Sequence, residues 1–185
     1  MKSILHIILL SFFLFYSASL YAQSSDPAFK TGYISGGLQV LQPMAELYSV
    51  LDPSPVLVSA MRFSYFKDML SQIQISYARL DGPDSPAAVH CLSGLVGLDR
   101  QWFHGLVETG TGLSLFFLRA AEVRRSGLLL ADNESDFGFY LKGALRLYTK
   151  EAWALSWSTQ WHSVLTLPKR SHLLQSGLVV EYRLW

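Results

Sequence analysis

Two consecutive stretches of this chain alternate with a period of two so strictly that no helix fits either of them. From Asp136 to Tyr148 the odd positions read Phe137, Phe139, Leu141, Gly143, Leu145 and Leu147, and the even ones Asp136, Gly138, Tyr140, Lys142, Ala144, Arg146 and Tyr148. From Trp153 to His162 one face carries Trp153, Leu155, Trp157, Thr159 and Trp161, and the other Ala154, Ser156, Ser158, Gln160 and His162. Successive side chains of a strand point to opposite faces, so each segment separates two different solvents. Similar runs from Thr31 to Val40, Pro55 to Tyr65, Leu70 to Leu80, Ala87 to Leu98, Phe103 to Phe117 and Leu173 to Trp185 bring the number of expected strands to eight. Each is close to the roughly 9 to 11 residues that a tilted strand needs to cross a bilayer.

The connections sort into two kinds. Phe66 to Met69, Asp99 to Trp102 and Thr149 to Glu151 are short, whereas Leu41 to Ser54, Asp81 to Pro86, Leu118 to Asn133 and Leu167 to His172 are longer. Short and long alternate, as in a transmembrane barrel with tight periplasmic turns, longer outer loops and both chain ends in the periplasm. The even strand number satisfies that parity. The expected fold is therefore all-β, an eight-stranded antiparallel up-and-down transmembrane β-barrel.

Composition decides which side of the barrel meets water. Half of the residues are hydrophobic and 16% are charged, against about a quarter charged in soluble domains. A soluble barrel needs Lys and Glu on its outer face, but the polar faces here offer mainly Gly, Ala, Ser and Gln, which suit a narrow lumen. The apolar faces place Trp and Phe near strand ends, where interfacial girdles sit. After Ala22 no run approaches the roughly 18 apolar residues of a spanning helix. A net charge of +1 gives no field to attract nucleic acid. Cys91 is the only cysteine, so no internal disulfide framework exists, and it reads as a small buried apolar residue.

The amino end reads as an address. Lys2 precedes an apolar run from Ile4 to Phe15, followed by Ser17, Ala18 and Ser19, the pattern of an export signal with cleavage after Ala22. Residues 1–22 are thus expected to be a cleaved signal peptide, 23–30 a short periplasmic lead, and 31–185 the barrel.

With eight strands, this parity and this closing segment, the chain resembles the small outer-membrane barrels of the OmpA and OmpX type across the mature part. The resemblance implies a bacterial outer-membrane location, surrounded by lipid and lipopolysaccharide. It also implies a C-terminal signal read by the outer-membrane assembly machinery, here Tyr182, Leu184 and Trp185. The apolar parity of the last strand runs through Leu178, Val180, Tyr182 and Leu184. Trp185 falls one residue out of step, so either Leu184 holds the signal position or a bulge intervenes.

Pairing the fifth and sixth strands from their shared periplasmic ends sets Phe103 opposite Leu147, His104 opposite Arg146, Glu108 opposite Lys142 and Gly110 opposite Tyr140, the last pair covering a bare glycine with a ring. Arg62, Glu181 and Arg183 share the lumen parity. The expected interior is a polar network of Arg62, His104, Glu108, Lys142, Arg146, Glu181 and Arg183 that fills the lumen, since paired charges are the stable way to bury polarity in so narrow a barrel. The alternative use of the same residues is a narrow channel.

His90, His104 and His162 lie on separate strands and His104 with Glu108 lacks a second histidine, so no metal or cofactor is expected. A lipid-modifying enzyme of the outer membrane is the other reading. It needs serine and histidine within hydrogen-bond reach. His162 and Ser163 point to opposite faces, and Ser171 with His172 lacks an acid. In the third long connection Arg119, Arg124 and Arg125 precede Leu128, Leu129 and Leu130, a combination that suits lipopolysaccharide phosphates or another envelope protein. The function expected from the sequence is a non-enzymatic structural or interaction role.

Overall fold

The computed structural model describes residues 31–44, 51–66, 68–82, 85–120, 134–165 and 170–185. Residues 1–30, with the expected export signal and lead, lie outside them. Among the described residues eight strands follow in chain order: β1 (Gly32–Met44), β2 (Ser54–Phe66), β3 (Met69–Gly82), β4 (Ser85–Trp102), β5 (Val107–Ala120), β6 (Glu134–Lys150), β7 (Trp153–Leu165) and β8 (Arg170–Arg183). Each is antiparallel to the next, and β8 pairs with β1 to close the barrel. The expected all-β barrel is what forms.

Strand lengths run from 13 residues in β1 to 18 in β4, longer than the expected segments except in β5. Backbone pairing needs no apolar side chain, so the ladders continue past the apolar belt into polar residues at both rims. This corrects one connection. Asp81 to Pro86 reads as a long loop because of its Asp, Gly and Pro residues, yet the ladder carries on to Gly82 opposite Ser85, leaving only 83–84 between the strands. Short and long connections therefore do not alternate strictly.

At the other end, Asp99 to Trp102 is strand, and the turn lies at Phe103 to Leu106 instead. Phe103 (φ 50°), His104 (φ 58°) and Gly105 (φ 84°) are all left-handed, a conformation that ends a strand and that non-glycine residues adopt at a steric cost. β5 begins after it. The register between β5 and β6 is consequently shifted by two residues from the expected one: Val107 faces Leu145, Glu108 faces Ala144, Gly110 faces Lys142 and Gly112 faces Tyr140.

The outward wall is apolar, with Ile34, Leu38, Leu57, Ile75, Val96, Leu113, Leu141 and Leu178 among its exposed side chains. Tyr65, Trp102, Tyr148, Trp153, Tyr182 and Trp185 are exposed around the end that holds the chain termini, the expected aromatic girdle. The interior is layered. Near the loop end it is an apolar cluster that includes Leu41, Val56, Leu80, Cys91, Phe116 and Leu173, with Leu51 packed against it. Leu51 belongs to the longer connection from Leu41 to Ser54, and the backbone beside it is tied in by Asp52 N–H donating to the Asp81 carbonyl at 2.8 Å. The rest of that loop, 45–50, lies outside the described residues.

Cys91 sits 3% exposed in this cluster. A thiol so enclosed meets a reagent only when the barrel opens. Maleimide labelling of the folded protein is therefore expected to be negligible over hours and complete within minutes in denaturant, read by mass.

The seam between β1 and β8 is regular from Tyr33 opposite Arg183 to Met44 opposite His172. No bulge interrupts β8 there; its ladder ends at Arg183, and Leu184 N–H donates to the Gly32 carbonyl at 2.8 Å. Once off the ladder, Trp185 no longer obeys strand parity. Its ring lies over Gly32, where an added Cβ would meet it at 2.5 Å, and 6.4 Å from the ring of Phe63. The out-of-step tryptophan thus reaches the outward face.

Candidate functional site

The polar interior near the termini end is where the expected site residues converge. Arg62 comes from β2, Asp99 from β4, Glu108 from β5, Lys142 and Arg146 from β6 and Glu181 from β8. Each faces inward because it holds lumen parity on its own strand. The Arg62 guanidinium contacts the carboxylates of Glu108 and Glu181 and lies 3.3 Å from Asp99 Oδ2. Lys142 Nζ sits 2.7 Å from Asp99 Oδ2 and 2.8 Å from Glu108 Oε1, and Arg146 Nη2 donates to Glu181 Oε1 at 3.1 Å. Three cations and three carboxylates alternate, so the cluster is neutral as a unit. The pairs are almost wholly removed from solvent: Arg62, Glu108 and Glu181 are 6%, 6% and 5% exposed, and Asp99 is 0%.

Five of the seven expected network residues are therefore brought together: Arg62, Glu108, Lys142, Arg146 and Glu181. Two are not. His104 is exposed in the left-handed turn, because the strand it was assigned to starts only at Val107. Arg183 keeps the lumen parity but stands on the last rung of β8, exposed, beyond the carboxylates. Asp99, the most buried member, is absent from the expected network because the expected strand ends at Leu98. The parity of Ser93, Gly97 and Asp99 was the signal that could have found it.

Above the ions lies a glutamine layer. Gln74 of β3 and Gln160 of β7 donate to each other reciprocally at 3.2 and 2.9 Å, joining opposite walls of the barrel. Gln72 Nε2 donates to Gln74 Oε1 at 2.8 Å, and Lys142 Nζ donates to Gln72 Oε1 at 2.7 Å, which links this layer to the ions. The cavity bounded by Arg62, Glu108, Lys142 and the Gly105–Leu106 turn holds about 30 Å³, room for a water or two. Tyr140 is fully buried, and its ring does cover bare backbone: added Cβ atoms would meet it at 2.9 Å from Gly112 and 1.9 Å from Gly97. The expected rescue of a glycine by Tyr140 thus operates at these two positions and not at Gly110, which lies under the Asp99 carboxylate.

Elsewhere, Arg119 is exposed on the last turn of strand in β5, while Arg124 and Arg125 lie outside the described residues. Tyr182 points outward with its ring centroid 4.6 Å from that of Trp153. His162 is buried inside, edge-on to Phe116 at 5.4 Å. Its neighbour Ser163 is directly opposite His172 on β8, a pairing that only the register reveals. The His172 ring stacks on Trp161 at 5.1 Å, and no carboxylate shares the outward face of β6, β7, β8 or β1 among the described residues.

No protein-family model matches the chain, and no curated protein matches it. Solved structures do share its fold. Neisserial surface protein A superposes with a TM-score of 0.57 at 11% identity, over 82% of this chain and 96% of that one. Ail, the attachment invasion locus protein of Yersinia pestis, in complex with the heparin analogue sucrose octasulfate, gives 0.57 at 12%, over 83% and 97%. The outer membrane protein OprG of Pseudomonas aeruginosa gives 0.54 at 8%, over 83% and 95%. The chain therefore has the fold of small eight-stranded outer-membrane barrels, as its resemblance to the OmpA and OmpX type implied, with no near relative among them.

Proposed function

We propose that the protein is an integral bacterial outer-membrane barrel with a closed lumen, acting through its outer surface as a structural or interaction element and not as an enzyme. The observation that carries this reading is the bonding across the lumen. Arg62 reaches from β2 to carboxylates on β4, β5 and β8, and Gln74 joins Gln160 from the opposite wall. A conducting path needs a continuous file of water, and two stacked layers of side-chain bonds interrupt it. The apolar cluster toward the loop end adds a third.

The apolar outward wall and its aromatic girdle support membrane insertion with the termini in the periplasm. To the same proposal belong residues 1–22 as a cleaved export signal, 23–30 as a periplasmic lead, and recognition of Tyr182, Leu184 and Trp185 by the assembly machinery. Contact of Arg119, Arg124 and Arg125 with lipopolysaccharide or another envelope protein belongs there too. Ail, whose fold is shared, holds a sulfated heparin analogue, so a barrel of this shape can present a surface to polyanions. The lipid-modifying alternative is disfavoured because the Ser163 and His172 pair has no acid to orient it among the described residues.

Conductance of the refolded protein in a planar bilayer tests the closed lumen: no discrete current steps are expected, and steps would establish the channel instead. The same sample should migrate differently boiled and unboiled on a gel. Identical mobility would count against a stable barrel.

A further inference from the structure

The outward faces of β3, β4 and β5 carry a row that no single segment of sequence shows. Arg79 is the register partner of His90, and His90 is the partner of Arg119. All three have outward parity. Directly opposed side chains on one face have Cβ atoms about 4.5 to 5.5 Å apart, so two guanidinium groups flank one imidazole at the loop-end rim. Like charges in such a row repel each other unless an anion joins them. The row is neutralised internally only in part. Arg79 Nε contacts Asp81 Oδ1 at 3.2 Å, at a pair more than half exposed, which leaves its terminal nitrogens. Arg119 makes no ion pair among the described residues. The Tyr77 hydroxyl lies 2.7 Å from His90 Nδ1, a contact that occupies one ring nitrogen and leaves Nε2 for a ligand.

What lies beneath the row identifies the occupant. The next outward rung is Tyr77, Leu92 and Phe117, and the one below it is Ile75, Gly94 and Leu115. Gly94 leaves a notch: a Cβ added there would have nothing within 4 Å. Four residues of strand separate it from His90, about 13 Å along the wall. A cationic row at the rim, an apolar rung and then a groove between Ile75 and Leu115 match a molecule with a phosphate at one end and a hydrocarbon chain below. A free phosphate would use only the row, and a soluble polyanion would have no use for the notch.

We infer that the outward wall of β3, β4 and β5 binds one phosphorylated membrane lipid, its phosphate on Arg79, His90 and Arg119 and an acyl chain in the notch at Gly94. This rests on the proposed membrane placement and gives the surface contact a site. Charge-assisted bonds from two arginines to one phosphate supply the affinity, and the notch supplies the preference for a lipid.

The test uses the full barrel reconstituted in phosphatidylcholine vesicles containing diphosphorylated lipid A, extracted in mild detergent and weighed by native mass spectrometry. One retained lipid A per barrel is expected. Retention should fall about tenfold in the Arg79→Gln/Arg119→Gln variant, and also in Gly94→Leu, which fills the notch without altering charge. Dephosphorylated lipid A should not be retained, and inorganic phosphate should not displace the bound lipid. Equal retention by wild type and both variants, equal retention of the dephosphorylated lipid, displacement by phosphate alone, or a second copy of the chain in place of lipid would each overturn the site. A gel of the same samples separates the two levels. A barrel that shifts on boiling yet retains no lipid refutes this site alone, whereas one that never shifts refutes the membrane barrel on which it rests.

Discussion

Arg62→Met is expected to destabilise the barrel by about 3–5 kcal/mol, the largest effect of any single interior substitution. The methionine fits the volume, but three carboxylates then face only Lys142 and Arg146. Asp99, Glu108 and Glu181 are each less than a tenth exposed, so water cannot replace the lost partner, and screening by salt reaches them poorly. Urea unfolding in lipid vesicles, followed by tryptophan fluorescence, measures the loss. Two companions identify its cause. Adding Glu108→Gln restores charge balance, with Lys142 left on Asp99 and Arg146 on Glu181, and should recover a large part of the stability. The resulting coupling energy should exceed 1 kcal/mol, as for residues in one network. Arg62→Lys keeps the charge but not the planar fork that spans two walls, and should fall between wild type and Arg62→Met. If Glu108→Gln only adds to the damage, the neutral-cluster account is wrong.

Gly97→Val is expected to cost about 1–3 kcal/mol, the range for overpacking a filled interior. A Cβ at Gly97 would lie 1.9 Å from the Tyr140 hydroxyl and 2.5 Å from the Thr111 carbonyl oxygen. Tyr140 has nowhere to go, since its ring already covers Gly112 across the strand pair. Cutting the ring back with Tyr140→Leu should relieve the clash with the side chain but not that with the Thr111 backbone, so rescue is expected to be partial. Gly143→Ala is the control. An added Cβ there meets nothing within 4 Å, and the change should stay within about 0.5 kcal/mol. Unfolding midpoints of the three variants in the same vesicles decide the matter; equal losses at Gly97 and Gly143 would reject the steric explanation.

Much of this architecture is legible in the chain. Each expected strand forms, and the alternation in 136–148 and 153–162 already separates Lys142, Arg146, Gln160 and His162 from the outward Leu141, Leu145 and Trp161. The misses have three origins. Sequence marks where apolar alternation stops, not where pairing stops, so it predicts Asp99 in a turn and residues 81–82 and 85–86 in a loop, although all of them belong to strands. Phe103 and His104 fail in the opposite sense. They continue the alternation of β5 on paper, but the reversal between β4 and β5 takes them into left-handed backbone, and the register of β5 on β6 moves by two residues with them. Trp185 fails for a third reason. Parity holds only on a ladder, and the ladder ends at Arg183.

Facing is therefore what the sequence determined by itself. A period of two is a local property, set by the pleat of each strand, and it assigned Arg62, Glu108, Lys142, Arg146 and Glu181 to the interior without knowledge of any neighbour. Meeting is what only the tertiary structure decided. Which residues on a face touch depends on register, and register depends on the backbone of each turn and on closure of β8 against β1, quantities spread over the whole chain. Asp99 under two cations, Tyr140 over Gly97 and Gly112, and the row of Arg79, His90 and Arg119 all follow from it, and a shift of two residues in one hairpin would dissolve each of them while leaving every side chain on its proper face.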